Sequence, residues 1–111
     1  MVNKKEMGDK DIQKYLEETT ENVLLTTFRV GSNKINYRIL NMLPAKTKDI
    51  LGKINLSKMP GNRRINDLEQ ANLIKRIRHE GRLEITDAGK AYLDVMVQFK
   101  KEIITEMSNL I

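Results

Sequence analysis

The chain alternates between stretches with a helical hydrophobic period and one stretch with a strand period. From Asp9 onward, Ile12, Leu16, Val23 and Phe28, with Tyr15 and Leu24 beside them, fit one face of a helix over 9–28. Asp9 or Asp11 suits its start, because a carboxylate accepts from the open N–H groups there. The run Val23-Leu24-Leu25-Thr26-Thr27-Phe28 also has strand-like composition, but the longer period favours helix. Gly31-Ser32 is expected to break it. Residues 1–8 are polar and expected to fray.

Ser32 or Asn33 can cap a second helix through Met42, with Ile35, Ile39, Leu40 and Leu43 as its apolar set. Pro44 stops it, because the residue before a proline disfavours the α region. Thr47 is read as the N-cap of a short helix from Lys48 to Ile54, with Ile50, Leu51 and Ile54 inward. Asn55-Leu56 is a tight turn, and Ser57 is read as the cap of a fourth helix. Pro60 falls in the first turn of that helix, where a missing N–H costs little. Ile65, Leu68 and Ala71 form its buried stripe, and Asn72 suits the left-handed position at its end.

The period then changes. Leu73 to Arg78 reads as a strand, His79-Glu80-Gly81 as a turn and Arg82 to Ile85 as the returning strand. Thr86 caps a last helix over 87–109, with Asp87 in its first turn, where a carboxylate suits the helix dipole. The expected fold is mostly α with a small β-hairpin. It forms one domain over 1–111, made of an N-terminal helix (9–28), a core (33–86) and a long C-terminal helix (87–109).

Composition narrows the chemistry. The 111 residues include no cysteine and one histidine, His79. That excludes a disulfide scaffold, a thiol nucleophile and a Cys-based zinc site, and argues against any metal centre. No Gly-rich phosphate loop, Ser/His/Asp set or His pair is present. Glu84 and Asp87 read as a strand-surface residue and a helix-start residue rather than an acid/base pair. The expectation is no enzyme, no cofactor and no metal. The methionines are expected to fill core or interface. Met1 to Glu6 holds no apolar stretch and no run is long enough for a membrane span, so a cytoplasmic protein is expected.

Charge changes the picture further. The net charge is +5, but residues 34–82 hold twelve Lys/Arg against four Asp/Glu, while the segments on either side are slightly acidic. A surface that binds a polyanion has this distribution. A lysine-rich solvated surface is the plain alternative.

Three helices followed by a two-stranded hairpin describe a winged helix-turn-helix. The stretch from Leu56 to Ile74 (LSKMPGNRRINDLEQANLI) resembles the recognition helix of small bacterial and archaeal winged-helix regulators of the MarR, ArsR and PadR type. Gly81 to Lys90 (GRLEITDAGK) resembles their wing and the Thr-x-x-Gly opening of the next helix. The likeness covers about residues 34–93. Two positions depart from it: Gly61 stands where those proteins usually carry a buried aliphatic residue, and Asn72 where they usually carry glycine. The first is expected to loosen the helix start. The resemblance implies a DNA-binding transcriptional regulator associated with the nucleoid.

The residues support that reading on their own terms. If Ile65, Leu68 and Ala71 face inward, Asn62, Arg63 and Asn66 fall outside. Arg can bond guanine bidentately and Asn can bond adenine. Thr47 and Lys48, and Ser57 and Lys58, sit at helix starts and suit phosphate; Arg64 can contact phosphate or lay its stem on the core. Arg76, Arg78 and Arg82 lie on or beside the hairpin turn, and an arginine there can enter a narrow minor groove. Ordinary solvated polar residues, simple capping by Thr47 and Ser57, and a charge-guarded edge strand are the alternatives. His79 reads as a solvated turn residue.

The last helix carries more apolar surface than one face can hide. Tyr92, Met96, Phe99, Ile103, Met107 and Leu110 form one row, with Leu93, Val97, Ile104 and Ile111 beside it. A second copy of the chain is the expected partner, with helix 9–28 free to join the interface. The alternative is that helix 9–28 covers both rows within one protomer. The partners expected are double-stranded DNA and a second copy, with no membrane. The sequence names no small-molecule effector. Two other functions fit the same pattern: a winged-helix module that docks an acidic protein, and a DNA-organising protein of low sequence preference.

Overall fold

The computed structural model describes residues 8–111. The expected fraying of the N-terminal end therefore falls, but for Gly8, outside the described residues. Among the described residues, five helices and three short strands follow one another: α1 (Asp9–Gly31), α2 (Lys34–Met42), β1 (Ala45–Lys46), α3 (Thr47–Ile54), α4 (Lys58–Gln70), β2 (Ile74–Ile77), β3 (Arg82–Ile85) and α5 (Asp87–Asn109). A single 3-10 turn, Arg78–Glu80, joins β2 to β3. The protein is mostly helical, with one antiparallel sheet in the order β1-β3-β2.

α1 runs three residues past its expected end and includes both the strand-like run and Gly31. The helix ends at Gly31-Ser32, as expected, with Gly31 its last residue and Ser32 its C-cap. A Cβ on Gly31 would lie 2.7 Å from the Tyr92 ring, so glycine is what lets the end of α1 lie against α5. Phe28 meets the same ring edge-on, with centroids 5.2 Å apart and planes at 75°. The Ser32 hydroxyl is 2.9 Å from the Tyr92 hydroxyl. Of the two cap candidates for α2, Asn33 takes the role: its Oδ1 accepts from the backbone N of Ile35 and Asn36. The buried Asn36 side chain donates in turn to the Val30 carbonyl at 2.9 Å, tying α1 to α2.

The sheet has one strand more than the sequence pattern predicts. Ala45 and Lys46 pair with Leu83 and Arg82 of β3. This pairing moves the start of α3. Lys46 takes the cap position with no side-chain hydrogen bond, and Thr47 is the first helical residue rather than the N-cap. The backbone N of Thr47 donates instead to the Gly81 carbonyl at 2.9 Å. A two-residue strand is too short to show a period of two, which is why the pattern missed it.

α3 and α4 form a tight pair around Gly61. Asn55 supplies the left-handed turn between them, at φ 54°. Gly61 lies buried on the same stripe as Ile65 and Leu68, and a Cβ on it would stand 2.1 Å from Leu51 Cδ2. The expected loosening at this glycine is therefore corrected: the missing side chain is what lets α3 approach. Ser57 does hold the N-cap position of α4, but its side chain makes no capping bond. Pro60, at the third helical position, has no N–H to give, which removes one of the two donors such a cap uses.

At its other end α4 closes with a complete Schellman motif. The N of Leu73 donates to the Leu68 carbonyl, and the N of Asn72 to that of Glu69, both at 3.0 Å. Asn72 takes the left-handed conformation at φ 60°, so it does what glycine does elsewhere. Leu68 and Leu73, which this motif brings together, are both fully buried.

The core draws Ile39 and Leu40 from α2, Ile50 from α3, Ile65 and Leu68 from α4, Ile74 and Leu83 from the strands and Tyr92 from α5. It lies within residues 30–96, and the two long helices project beyond it. The radius of gyration is 17.9 Å, against about 13 Å for a compact domain of this length. The extents, 52 × 50 × 20 Å, describe a flat and open shape.

The glycines give a paired prediction. Gly61→Ala, which must displace Leu51, is expected to cost about 1–3 kcal/mol in urea unfolding. Gly52→Ala, in the same pair of helices but with nothing within 4 Å of its Cβ position, is expected to stabilise by up to about 1 kcal/mol. Equal effects of the two changes would contradict the close α3–α4 approach.

Candidate nucleic-acid interface

α4 is amphipathic in a way that decides which side chains can meet a ligand. Gly61, Ile65 and Leu68 are buried on one side. Positions 59, 63 and 66 stand on the opposite side, four and three residues apart. Arg63 and Asn66 are exposed there, and Asn62 is partly covered. Met59, Pro60, Asn62, Arg63, Arg64 and Asn66 line one open groove along the helix. Arg64 stands at its edge and also lines a second cleft, with Arg29, Asn36 and Asp67, where α4 passes α1 and α2.

The structure brings Asn66 and the hairpin together, which the sequence pattern did not show. Strand register places Arg76 opposite Leu83, on the face of β2 turned toward the helices. Its guanidinium donates to Asn66 Oδ1 and stands 3.4 Å from a Glu69 carboxylate oxygen. Arg76 is thus not a free wing cation. Its side chain is 16% exposed, and it bridges the hairpin to α4. Because an arginine can only donate, the Asn66 carbonyl must face it, and the amide NH2 points away. The expected bidentate bond from Asn66 to adenine would need both amide ends turned to the base, so this residue does not offer it in the arrangement observed.

On the other face of the hairpin, Arg82 lies between two carboxylates, Glu80 at 2.7 Å and Glu84 at 2.8 Å. Lys75 pairs with Glu84 at 3.7 Å. These pairs are solvated and worth little to stability, but they lower the net charge of the hairpin. Arg78 is exposed on the turn, as is His79 beside Glu80. Thr47, Arg76, Arg78, Gly81 and Arg82 border one small pocket, so pairing of β1 with β3 carries the start of α3 to the base of the hairpin.

The helix starts differ from expectation as phosphate sites. The Thr47 N–H is already bonded to Gly81, and Pro60 removes one donor from the first turn of α4. The N–H groups of Lys58 and Met59 have no partner within the helix. Lys48, Ser57 and Lys58 are exposed at the two starts.

The expected row on α5 divides in two. Tyr92 is 4% exposed and belongs to the core of its own protomer, and Met96 is half-buried against that core. Tyr92 is therefore removed from the candidate dimer face, because α1 occupies it through Phe28, Gly31 and Ser32. Phe99, Ile103, Met107 and Leu110 are exposed, as are Val97, Ile104 and Ile111. α1 does not cover them and has an exposed apolar set of its own, Tyr15, Leu16, Val23, Leu24 and Leu25. The alternative in which α1 hides both rows is overturned. Among the described residues, no helix is long and apolar enough to cross a membrane, and no group of three His, Asp or Glu is placed to hold a metal.

No protein-family model matches the chain, and comparison with curated proteins found no match.

The seat of the hairpin rests on Thr86. Its Oγ1 accepts from the N of Gly89 at 3.0 Å and donates to the Asn72 carbonyl at 2.6 Å, and its backbone N donates to the Leu73 carbonyl at 3.1 Å. One residue thus caps α5 and holds the end of β3 to the turn after α4. Thr86→Ala is expected to lower unfolding stability by about 1–2 kcal/mol, with Thr86→Ser recovering most of it. Equal losses in both variants would refute the hydroxyl's role.

Proposed function

We propose that this protein is a winged-helix, sequence-specific double-stranded DNA-binding protein that acts as a homodimer and regulates transcription in the cytoplasm, on the nucleoid, without enzymatic activity of its own. The single observation that carries the reading is the outward stripe of α4. Arg63 stands exposed on it while Gly61, Ile65 and Leu68 anchor the opposite side. A helix held in this way can enter a major groove, which admits one α-helix, and offer side chains to base edges. The element order β1-α3-α4-β2-β3 supports it, as does the excess of cations between residues 34 and 82.

The roles follow from placement. Arg63 is the first reader of bases, with Asn62 beside it. Asn66 turns only its NH2 outward and so serves a base acceptor. Lys48, Ser57 and Lys58 approach phosphates at the helix starts, and Arg64 does so at the edge of the groove. Among the described residues, Arg78 is the cation of the wing without an ion pair. Arg76 positions Asn66, and Arg82 reaches DNA only by leaving Glu80 and Glu84.

A second copy of the chain covers the exposed faces of α5 and α1. Apolar surface on this scale is unfavourable in water, and a two-fold pairing of the long helices would place two α4 helices to enter successive major grooves, about 34–36 Å apart.

Selection from a random duplex pool at stated salt tests the reading. It should return a two-fold symmetric site whose affinity falls steeply with salt. Absence of binding to any duplex at micromolar protein would favour docking to an acidic protein, and protection that spreads along DNA would favour an organising role. Arg63→Ala is expected to relax preference at one base pair per half-site by about 1–3 kcal/mol, measured across single-base variants of the selected site. Unchanged preference would remove Arg63 from base reading. Ile103→Glu, which places a charge on the α5 face, is expected to weaken self-association by about tenfold or more in sedimentation. A wild-type chain that sediments as a monomer would refute the dimer.

A further inference from the structure

Among the described residues, large exposed apolar side chains lie on α1, on α5 and just past its end at Leu110 and Ile111, with one exception. Between residues 26 and 94 only Met59 is of this kind, at 84% exposed. The general expectation that the methionines fill core or interface does not hold for it. Met59 belongs neither to the core cluster nor to the partly buried set packed against it. It stands in the first turn of α4, one helical turn before Arg63, in the groove that Arg63, Asn62 and Asn66 also line. Residues 59, 63 and 66 form one stripe (i, i+4, i+7) over about 10 Å of helix, the length of about three base steps at 3.4 Å each.

Only one base presents an apolar group in the major groove, the 5-methyl of thymine. A flexible, polarisable thioether adapts its shape to such a small group. We propose that Met59 reads a thymine methyl, within about three base pairs of the guanine taken by Arg63. The contact rests on the DNA-binding reading and adds an apolar reader to the polar ones. It gives the half-site a defined chemistry, a thymine and a guanine on one face of the groove.

Deoxyuridine lacks only the methyl group, so it isolates the contact. Each thymine of the duplex selected by the wild-type protein is replaced singly by deoxyuridine, and affinity is measured for the wild type and for Met59→Ala. In the wild type, one replacement per half-site should weaken binding about threefold to fivefold, the effect of one buried methyl. That position should lie within about three base pairs of the one relaxed by Arg63→Ala. Met59→Ala should bind the thymine and deoxyuridine duplexes equally, and because the side chain is solvated its loss leaves the fold intact. A selected duplex that is indifferent to every replacement, or a Met59→Ala protein that keeps the sensitivity, overturns the assignment alone. Failure to select any duplex overturns the DNA-binding reading, and Met59 with it.

Discussion

The constraint on which the rest of this structure depends is the burial of one side of α4. A helix of 13 residues can hide a single stripe. Here that stripe is Gly61, Ile65 and Leu68, pressed on α2 and α3 and closed at its end by Leu73. Gly61 is the tightest point, because Leu51 occupies the space a side chain would fill. Once that contact is set, rotation of α4 about its axis is set as well. The outward direction of Met59, Arg63 and Asn66 follows without further interactions.

The hairpin is fastened to this helix at two levels. Asn72 and Leu73 end α4 and lead directly into β2, and the Thr86 hydroxyl grips the Asn72 carbonyl from the far end of β3. Arg76 then reaches back to Glu69 and Asn66. Three of the twelve cations of the central segment, Lys75, Arg76 and Arg82, are therefore committed within the molecule. An interface counted from lysines and arginines alone overstates the charge available to a polyanion. Among the exposed cations, Lys58 and Arg63 lie on α4, Lys48 on α3 and Arg78 on the hairpin turn.

The long helices raise a different balance. α1 is fixed over its last part, where residues 22–29 pass α4, Phe28, Gly31 and Ser32 enclose Tyr92, and Asn36 holds the Val30 carbonyl. Over most of its length, and over the second half of α5, apolar side chains face water. A hydrophobic period alone shows that a helix wants a partner; it carries no information on whether that partner is in the same chain. The projecting shape excludes the intramolecular answer and leaves both faces exposed.

Much of the architecture was legible in the residues. Local chemistry placed the start of α2 at Ser32 or Asn33 and that of α5 at Thr86, the turn at Asn72, and the buried stripe at Ile65 and Leu68, because capping, left-handed turns and periodicity act within a few residues. The sequence by itself likewise determined that α4 has a polar side bearing Arg63. Tertiary structure alone decided the rest: β1, whose two residues gain strand geometry only from β3; Thr47, whose N–H is taken by Gly81; Arg76, turned inward by strand register; and Tyr92, moved from an imagined interface into the core. Each of these is a contact between residues far apart in the chain. Its outcome depends on which donor, ring or carboxylate arrives from elsewhere, and no local pattern of residues encodes that arrival.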